Sequence, residues 1–258
     1  MTSAARLFAR PGFGLAVVVA AALALLAGAL SWRAPSYDPA YLPEMAARPV
    51  VMPDGRALYV QRFEVTISEW NACFRAGACA IELRPRPGFD PATTPATGVN
   101  HADAQDYLRW ITAATGHPFR LPTASEWAHM AAPVLPDVPD PLFTDPSLRW
   151  ATAYLTQGLA PRALMPQGSF STTPEGIADL DGSVWEWTQD CFTDETDQAR
   201  CPAYIVGGEH ESAMFYLERD PARGGCAAGT PPAHLGLRLV ADQHWQVVVE
   251  DLRHINES

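Results

Sequence analysis

Three windows of this chain carry apolar residues at helical spacing, and each is opened by the same device, a capping side chain three residues ahead of an acid. They are Thr66-Ile67-Ser68-Glu69, Asn100-His101-Ala102-Asp103 and Thr123-Ala124-Ser125-Glu126. The first and third are full capping boxes, and the second is an Asn/Asp version. The second window places Ala104, Tyr107, Leu108 and Ile111 on one face and stops at Gly116, ahead of Pro118. The first ends near Gly77. Trp70, Trp110 and Trp127 read as core. Short extended runs flank the Pro53-Asp54-Gly55 turn between Val50 and Val60. Residues 132–175 hold little periodicity, and 24 Pro and 18 Gly make regular structure sparse. The pattern predicts an irregular, loop-rich α+β domain.

The ends follow a different pattern. Phe13–Leu30 is uncharged, follows Arg6 and Arg10, and is followed by Arg33 and Pro35. It is long for a signal-peptide core and just long enough to span a bilayer. The expected order is a cytoplasmic N-terminus (1–12), a membrane anchor (13–30), a tether (31–50), one domain (51–243) and a tail (244–258). Ala27-Gly28-Ala29 offers a cleavage site, so a secreted form is the alternative. The leading arginines place the domain outside the cytoplasm, in the periplasm. All five cysteines lie beyond the apolar run, in an oxidising compartment. Cys73 with Cys79 and Cys191 with Cys201 are the economical pairs, with other pairings open. Cys226 is the odd one, a buried apolar residue or a reactive thiol.

A net charge of −11 argues against a nucleic-acid partner. All 18 basic residues are Arg. This excludes Schiff-base catalysis, a P-loop lysine and a kinase-type lysine. There is no Gly-x-Ser-x-Gly elbow, His210-Glu211 is not followed by a second zinc-spaced His, and no Gly-rich loop follows a predicted strand. Nucleotide binding is therefore not expected.

The densest chemistry lies in Gly176–Thr188. Asp179, Asp181 and Glu186 are hard oxygen donors, and Gly182 allows a turn that exposes carbonyls between them, a combination that suits Ca²⁺. The spacing is not that of an EF-hand, because Glu186 comes too soon after Gly182. The plainer reading is an Asp-Gly turn running into a strand whose tryptophans fill the core.

Asp181-Gly182-Ser183-Val184-Trp185-Glu186-Trp187-Thr188 resembles the Gly-Asn-Val-Trp-Glu-Trp signature of the formylglycine-generating enzyme family, the sulfatase-modifying factors. Further segments fall in that family's order: Phe63-Glu64-Val65-Thr66 with Trp70, Pro95–Val99 leading to Asp103-Ala104, Arg120–Trp127, Val206-Gly207-Gly208, and Leu235-Gly236-Leu237-Arg238-Leu239. The resemblance implies the family's irregular α+β, C-type-lectin-like fold. It implies calcium donors at Asp179, Gly182, Val184 and Glu186, with Asp181 outside the shell, and Trp185 as a wall of the active site. The family's namesake oxidises a substrate cysteine to formylglycine with O₂, using two copper-binding cysteines four and nine residues after the second glycine. Those positions are Ser212 and Leu217 here, so copper is not expected, since Cu(I) wants soft thiolates.

Glu209, His210 and Glu211 stand near these positions. On a strand they would put two carboxylates on one face, as an acid/base pair or hard-metal ligands, and His210 on the other. The catalytic candidates are thus Glu209, His210, Glu211, Ser212, Cys226 and Trp185, with Tyr216 and Arg219 close in sequence. The chain is also similar to the NirV-type members found beside denitrification enzymes. That similarity implies an accessory or maturation factor for an extracytoplasmic partner such as a respiratory metalloprotein. The alternatives are a metal-dependent oxidoreductase with a redesigned site and a pure binding scaffold.

Overall fold

All three capping boxes close. The computed structural model describes residues 38–135, 163–193, 200–219 and 233–242, so the 13–30 run, Cys226 and the tail beyond 242 lie outside the described residues. Helices α1 (Ile67–Arg75), α2 (His101–Thr115) and α3 (Ala124–Ala131) begin where their caps place them. The Asn/Asp box is as complete as the other two: the Asn100 side chain accepts the Asp103 amide at 2.8 Å, and Asp103 accepts the Asn100 amide at 3.0 Å. Each such cap is worth about 1 kcal/mol. Helix α2 ends at Gly116 in the left-handed region, φ 70°, which removes the penalty a Cβ would carry there. The Cys73–Cys79 disulfide fastens the last turn of α1 to the loop that follows.

Strand β1 (Val50–Val51) and β2 (Ala57–Val60) flank the predicted turn, and β2 pairs onward with β7 (Val240–Ala241) in a three-stranded antiparallel sheet. A second sheet has the order β5-β4-β3-β6, formed by β3 (Val184–Cys191), β4 (Ala203–Gly207), β5 (Ser212–Phe215) and β6 (His234–Gly236). β3 is central, antiparallel to β4 and parallel to β6. Its first five residues are all buried, because both faces of the strand are covered. Trp185 and Trp187 face one core cluster with Trp70, Tyr107 and Leu235. A second cluster gathers Leu58, Trp127, Met130, Ile177, Leu180 and Val240.

The plainer reading of Gly176–Thr188, a turn running into a tryptophan-bearing strand, is the local structure found. The strand runs further than its polar sequence indicates. Thr188 is buried and donates its hydroxyl to the Ile205 carbonyl at 2.8 Å, and the Cys191–Cys201 disulfide closes the connection to β4. The boundary at 50 also moves. From Asp38 onward the backbone is already fastened to the domain: the Asp38 amide donates to Ala114, Ala46 to Val60, and Arg62 to Glu44. Leu42 and Met45 pack against the core, and two apolar residues without a period give no sequence signal. Trp110, expected in the core, is only half-buried, at the rim of a groove between α1 and α2. Among the described residues no helix is long and apolar enough to cross a membrane.

Candidate functional site

The site is built around a buried charge. Arg238 is fully buried within the otherwise apolar run Leu235–Val240. Its Nε donates to both oxygens of Glu186 at 3.0 and 3.2 Å, and Nη2 donates to Glu186 Oε1 at 2.7 Å. Nη1 donates to the carbonyls of Gln61 (3.1 Å) and Arg62 (2.7 Å), and Nη2 to that of Ala178 (3.0 Å). A buried charge is tolerated only when it is paired and hydrogen-bonded in this way. Glu186 Oε2 also accepts the Trp127 indole N–H at 2.8 Å. A second carboxyl, Glu64, lies in the same pocket of the core, with Oε2 3.6 Å from Arg238 Nη2 and, among the described residues, no hydrogen-bond partner at that oxygen. Burial raises the Glu64 pKa to about 8, Arg238 opposing and Glu186 adding to the shift. Burial thus favours the protonated form of Glu64, against the pull of Arg238.

The acidic turn before β3 is a backbone clamp. Asp179 sits at φ 66°, and its two oxygens accept the amides of Gly168 (2.5 Å) and Phe170 (2.8 Å). Asp181 accepts the Ser171 amide at 3.0 Å. The Gly182 amide donates to the Asp179 carbonyl, and a Cβ at Gly182 would lie 2.7 Å from that oxygen. The set Asp179, Gly182, Val184 and Glu186 does not fit calcium in this arrangement. Asp179 is engaged by two amides, Val184 lies within the β3–β6 ladder, and Glu186 is held by a guanidinium whose charge opposes a dication at the same carboxylate. Among the described residues no three His, Cys, Asp or Glu side chains are grouped to hold a metal.

The paired glycines seat two tryptophans. A Cβ on Gly207 would fall 2.1 Å from the Trp127 ring, and one on Gly208 would fall 2.3 Å from the Trp185 ring. Trp185 is covered on another side by His210, edge to face at 4.6 Å, where burial lowers the imidazole pKa. Glu209, His210 and Glu211 form a bend between β4 and β5, not the strand predicted for them, and both carboxylates are exposed. The reason is Gly208: the chain turns where it must pass over Trp185, so the alternation that would align Glu209 with Glu211 never starts. Ser212 is buried at the first position of β5, while Leu217 lies beyond the strand and is exposed. Arg219 then clamps the chain to α2 through a bidentate ion pair with Asp103, both bonds at 2.7 Å. The structure thus brings Trp185, Gly208, His210 and Ser212 together at one end of the sheet, and Cys226 lies outside the described residues.

The sequence matches the family described as the sulfatase-modifying factor enzyme 1-like domain over residues 18–243. This chain belongs to that family. It is 28% identical over 182 residues to the formylglycine-generating enzyme of Mycobacterium tuberculosis (strain ATCC 25618 / H37Rv), covering 59% of this chain and 59% of the relative. The chain therefore spans about 59% of the length of that relative. Its structure is similar to that of PvdO from Pseudomonas aeruginosa, with a TM-score of 0.49, 18% identity, and coverage of 78% of this chain and 92% of the other. It is also similar to Treponema denticola variable protein 1, with a TM-score of 0.47, 16% identity, and coverage of 78% and 93%.

Within this sulfatase-modifying factor family, the positions that resemblance assigns to copper thiolates are a buried serine and an exposed leucine. Four of the five cysteines are joined as Cys73–Cys79 and Cys191–Cys201. A hydroxyl and an alkyl group do not fit a Cu(I) dithiolate. Sequence reading missed Arg238, Glu64 and the tryptophan-seating role of the glycine pair. The one available signal was an arginine inside an apolar run, which demands a buried acid somewhere in the fold.

Proposed function

We propose that this family member is an extracytoplasmic accessory or maturation factor, which binds a partner protein at the β5 end of its sheet and does not make formylglycine by a copper–thiolate route. The observation that carries this is the pair Ser212 and Leu217, one a buried hydroxyl and the other an exposed alkyl chain. An exposed apolar cluster supports the binding role. Phe215 meets Tyr216 edge to face at 4.9 Å, and Phe192 flanks the same end of β4 from the other side, its amide on the carbonyl of Ala203, the residue that pairs with Phe215. Phe192, Phe215, Tyr216 and Leu217 are all exposed, and contiguous exposed apolar surface marks interaction sites. The two disulfides support an oxidising compartment. The similarity to NirV-type members makes a respiratory metalloprotein the partner of choice.

The test has two arms. A peptide carrying the Cys-x-Pro-x-Arg sulfatase motif, incubated with the protein, O₂ and copper, should keep its mass; loss of the thiol with gain of an aldehyde overturns the reading. A photo-crosslinker at Leu217 should capture one extracytoplasmic protein in the native cell, while the same group at exposed Arg84 should not. Equal capture at both positions, or none at Leu217, removes the partner site.

A further inference from the structure

Between α1 and α2 lies a groove of about 240 Å³. Its lining includes Tyr41, Glu69, Ala72, Tyr107, Trp110 and Ile111. The rings are set as tilted walls: Tyr41 meets Trp110 with centroids 5.1 Å apart at 61°, and Tyr107 meets Trp110 at 5.4 Å and 53°. Tyr107 is held from behind by Trp70, stacked at 5.5 Å, so the inner wall is rigid. The outer wall, Tyr41, comes from the short 3₁₀ turn Pro39–Tyr41, which is pinned to α2 by the Asp38 amide on the Ala114 carbonyl.

The acid in this groove is unusual in its surroundings. Glu69 Oε2 accepts the amide and hydroxyl of Thr66 at 2.7 and 2.9 Å, completing the α1 cap. Among the described residues nothing donates to Oε1 and no cation pairs with the carboxylate. Burial raises the Glu69 pKa against those two bonds from Thr66, and Glu44, itself paired with Arg62, adds to the shift. A carboxyl in that position gains from any cation brought beside it.

We propose that this groove binds a small alkylammonium ion, with Trp110 and Tyr41 as cation–π walls and Glu69 as the counter-charge. An aromatic face attracts an ammonium group, most strongly in tryptophan, and a site combining aromatic walls with one acid selects for an organic cation. An anion is excluded by Glu69. A hard metal ion would need six or more oxygens, and the groove offers one carboxylate among rings. The volume lies below the roughly 300–1,000 Å³ of sites for drug-sized ligands, so the occupant is a head group of a few carbons.

Tetramethylammonium and choline, titrated separately into the whole protein and followed by calorimetry, should each bind saturably. The uncharged choline isostere 3,3-dimethyl-1-butanol should bind about fivefold or more weakly, within the range a cation–π contact supplies. Glu69→Gln keeps a capping side chain at this position while removing the charge, and Trp110→Leu removes the strongest π face; each should weaken choline about fivefold. If Trp110→Leu does not fold, Tyr41→Ala at the exposed wall replaces it. Equal affinity for choline and its neutral isostere would reduce the groove to an apolar crevice. Absence of binding by both ammonium probes, or wild-type affinity in folded variants, overturns the proposal.

Discussion

Glu186 and Arg238 form a buried ion pair between the centre of β3 and the segment joining β6 to β7, 52 residues apart in the chain. The guanidinium ties that strand to the carbonyls of Gln61, Arg62 and Ala178, so one side chain joins three stretches of backbone. This arrangement pairs the buried acid between the two tryptophans.

Removing one partner leaves the other charged and buried. Arg238→Met or Glu186→Leu alone should cost about 3–5 kcal/mol in urea unfolding, and the double variant should recover much of that loss, since a buried pair is often replaceable by apolar groups. Single variants that cost less than the double would contradict the pairing.

Glu64 links stability to pH. Its folded pKa is raised from 4.5 to about 8, so between those values the folded state holds a proton that the unfolded chain releases. Its contribution is fully present below pH 4.5 and is lost as pH rises through about 8. His101 acts in the opposite sense: burial lowers its pKa from 6.5 to about 4, so its contribution is present above pH 6.5 and lost as pH falls. The measurement is therefore wild type minus Glu64→Gln, in denaturant melts from pH 5 to 9. A difference that declines with pH is expected; a flat one would falsify the assignment.

Chelation bears on the acidic turn. With Glu186 held by Arg238 and Asp179 by two backbone amides, EDTA should leave the melting temperature unchanged. A chelator-sensitive melting temperature, abolished by Glu186→Ala, would instead show Asp179, Gly182, Val184 and Glu186 to be calcium donors.

The glycine pair permits no side chain. Gly208→Ala would place a methyl group 2.3 Å from Trp185, against ring atoms that His210 also confines. A loss of about 1–3 kcal/mol is expected, with a shifted tryptophan emission as Trp185 is displaced. Unchanged emission and stability would show that the ring moves freely.

Thiol titration of the unfolded, unreduced protein should return one equivalent, Cys226, given two disulfides and five cysteines. Replacing Cys191 and Cys201 together should lower stability by about 2–4 kcal/mol. A count of three or five would break the assigned pairing.

What could be read from the chain was what acts over a few residues. Thr66, Asn100 and Thr123 announce their helices because a cap and its acid are three positions apart, and the structure closes all three boxes. The Pro53-Asp54-Gly55 turn and the two short disulfide loops are local in the same sense. The order of several short motifs was also enough to place the chain in its family.

The sequence by itself therefore determined where helices begin, which cysteines are near neighbours, and that the two positions matched by resemblance to copper thiolates are Ser212 and Leu217. Only the tertiary structure decided what Glu186 does. Its carboxylate has equal chemical reason to hold Ca²⁺ or a guanidinium, and the pairing seen rests on Arg238 arriving from the segment between β6 and β7. The same holds for Glu209 and Glu211, whose alignment depended on a strand that the close approach of Gly208 to Trp185 interrupts. Charge and packing partners are set by contacts far apart in the chain, and periodicity and spacing carry no record of them.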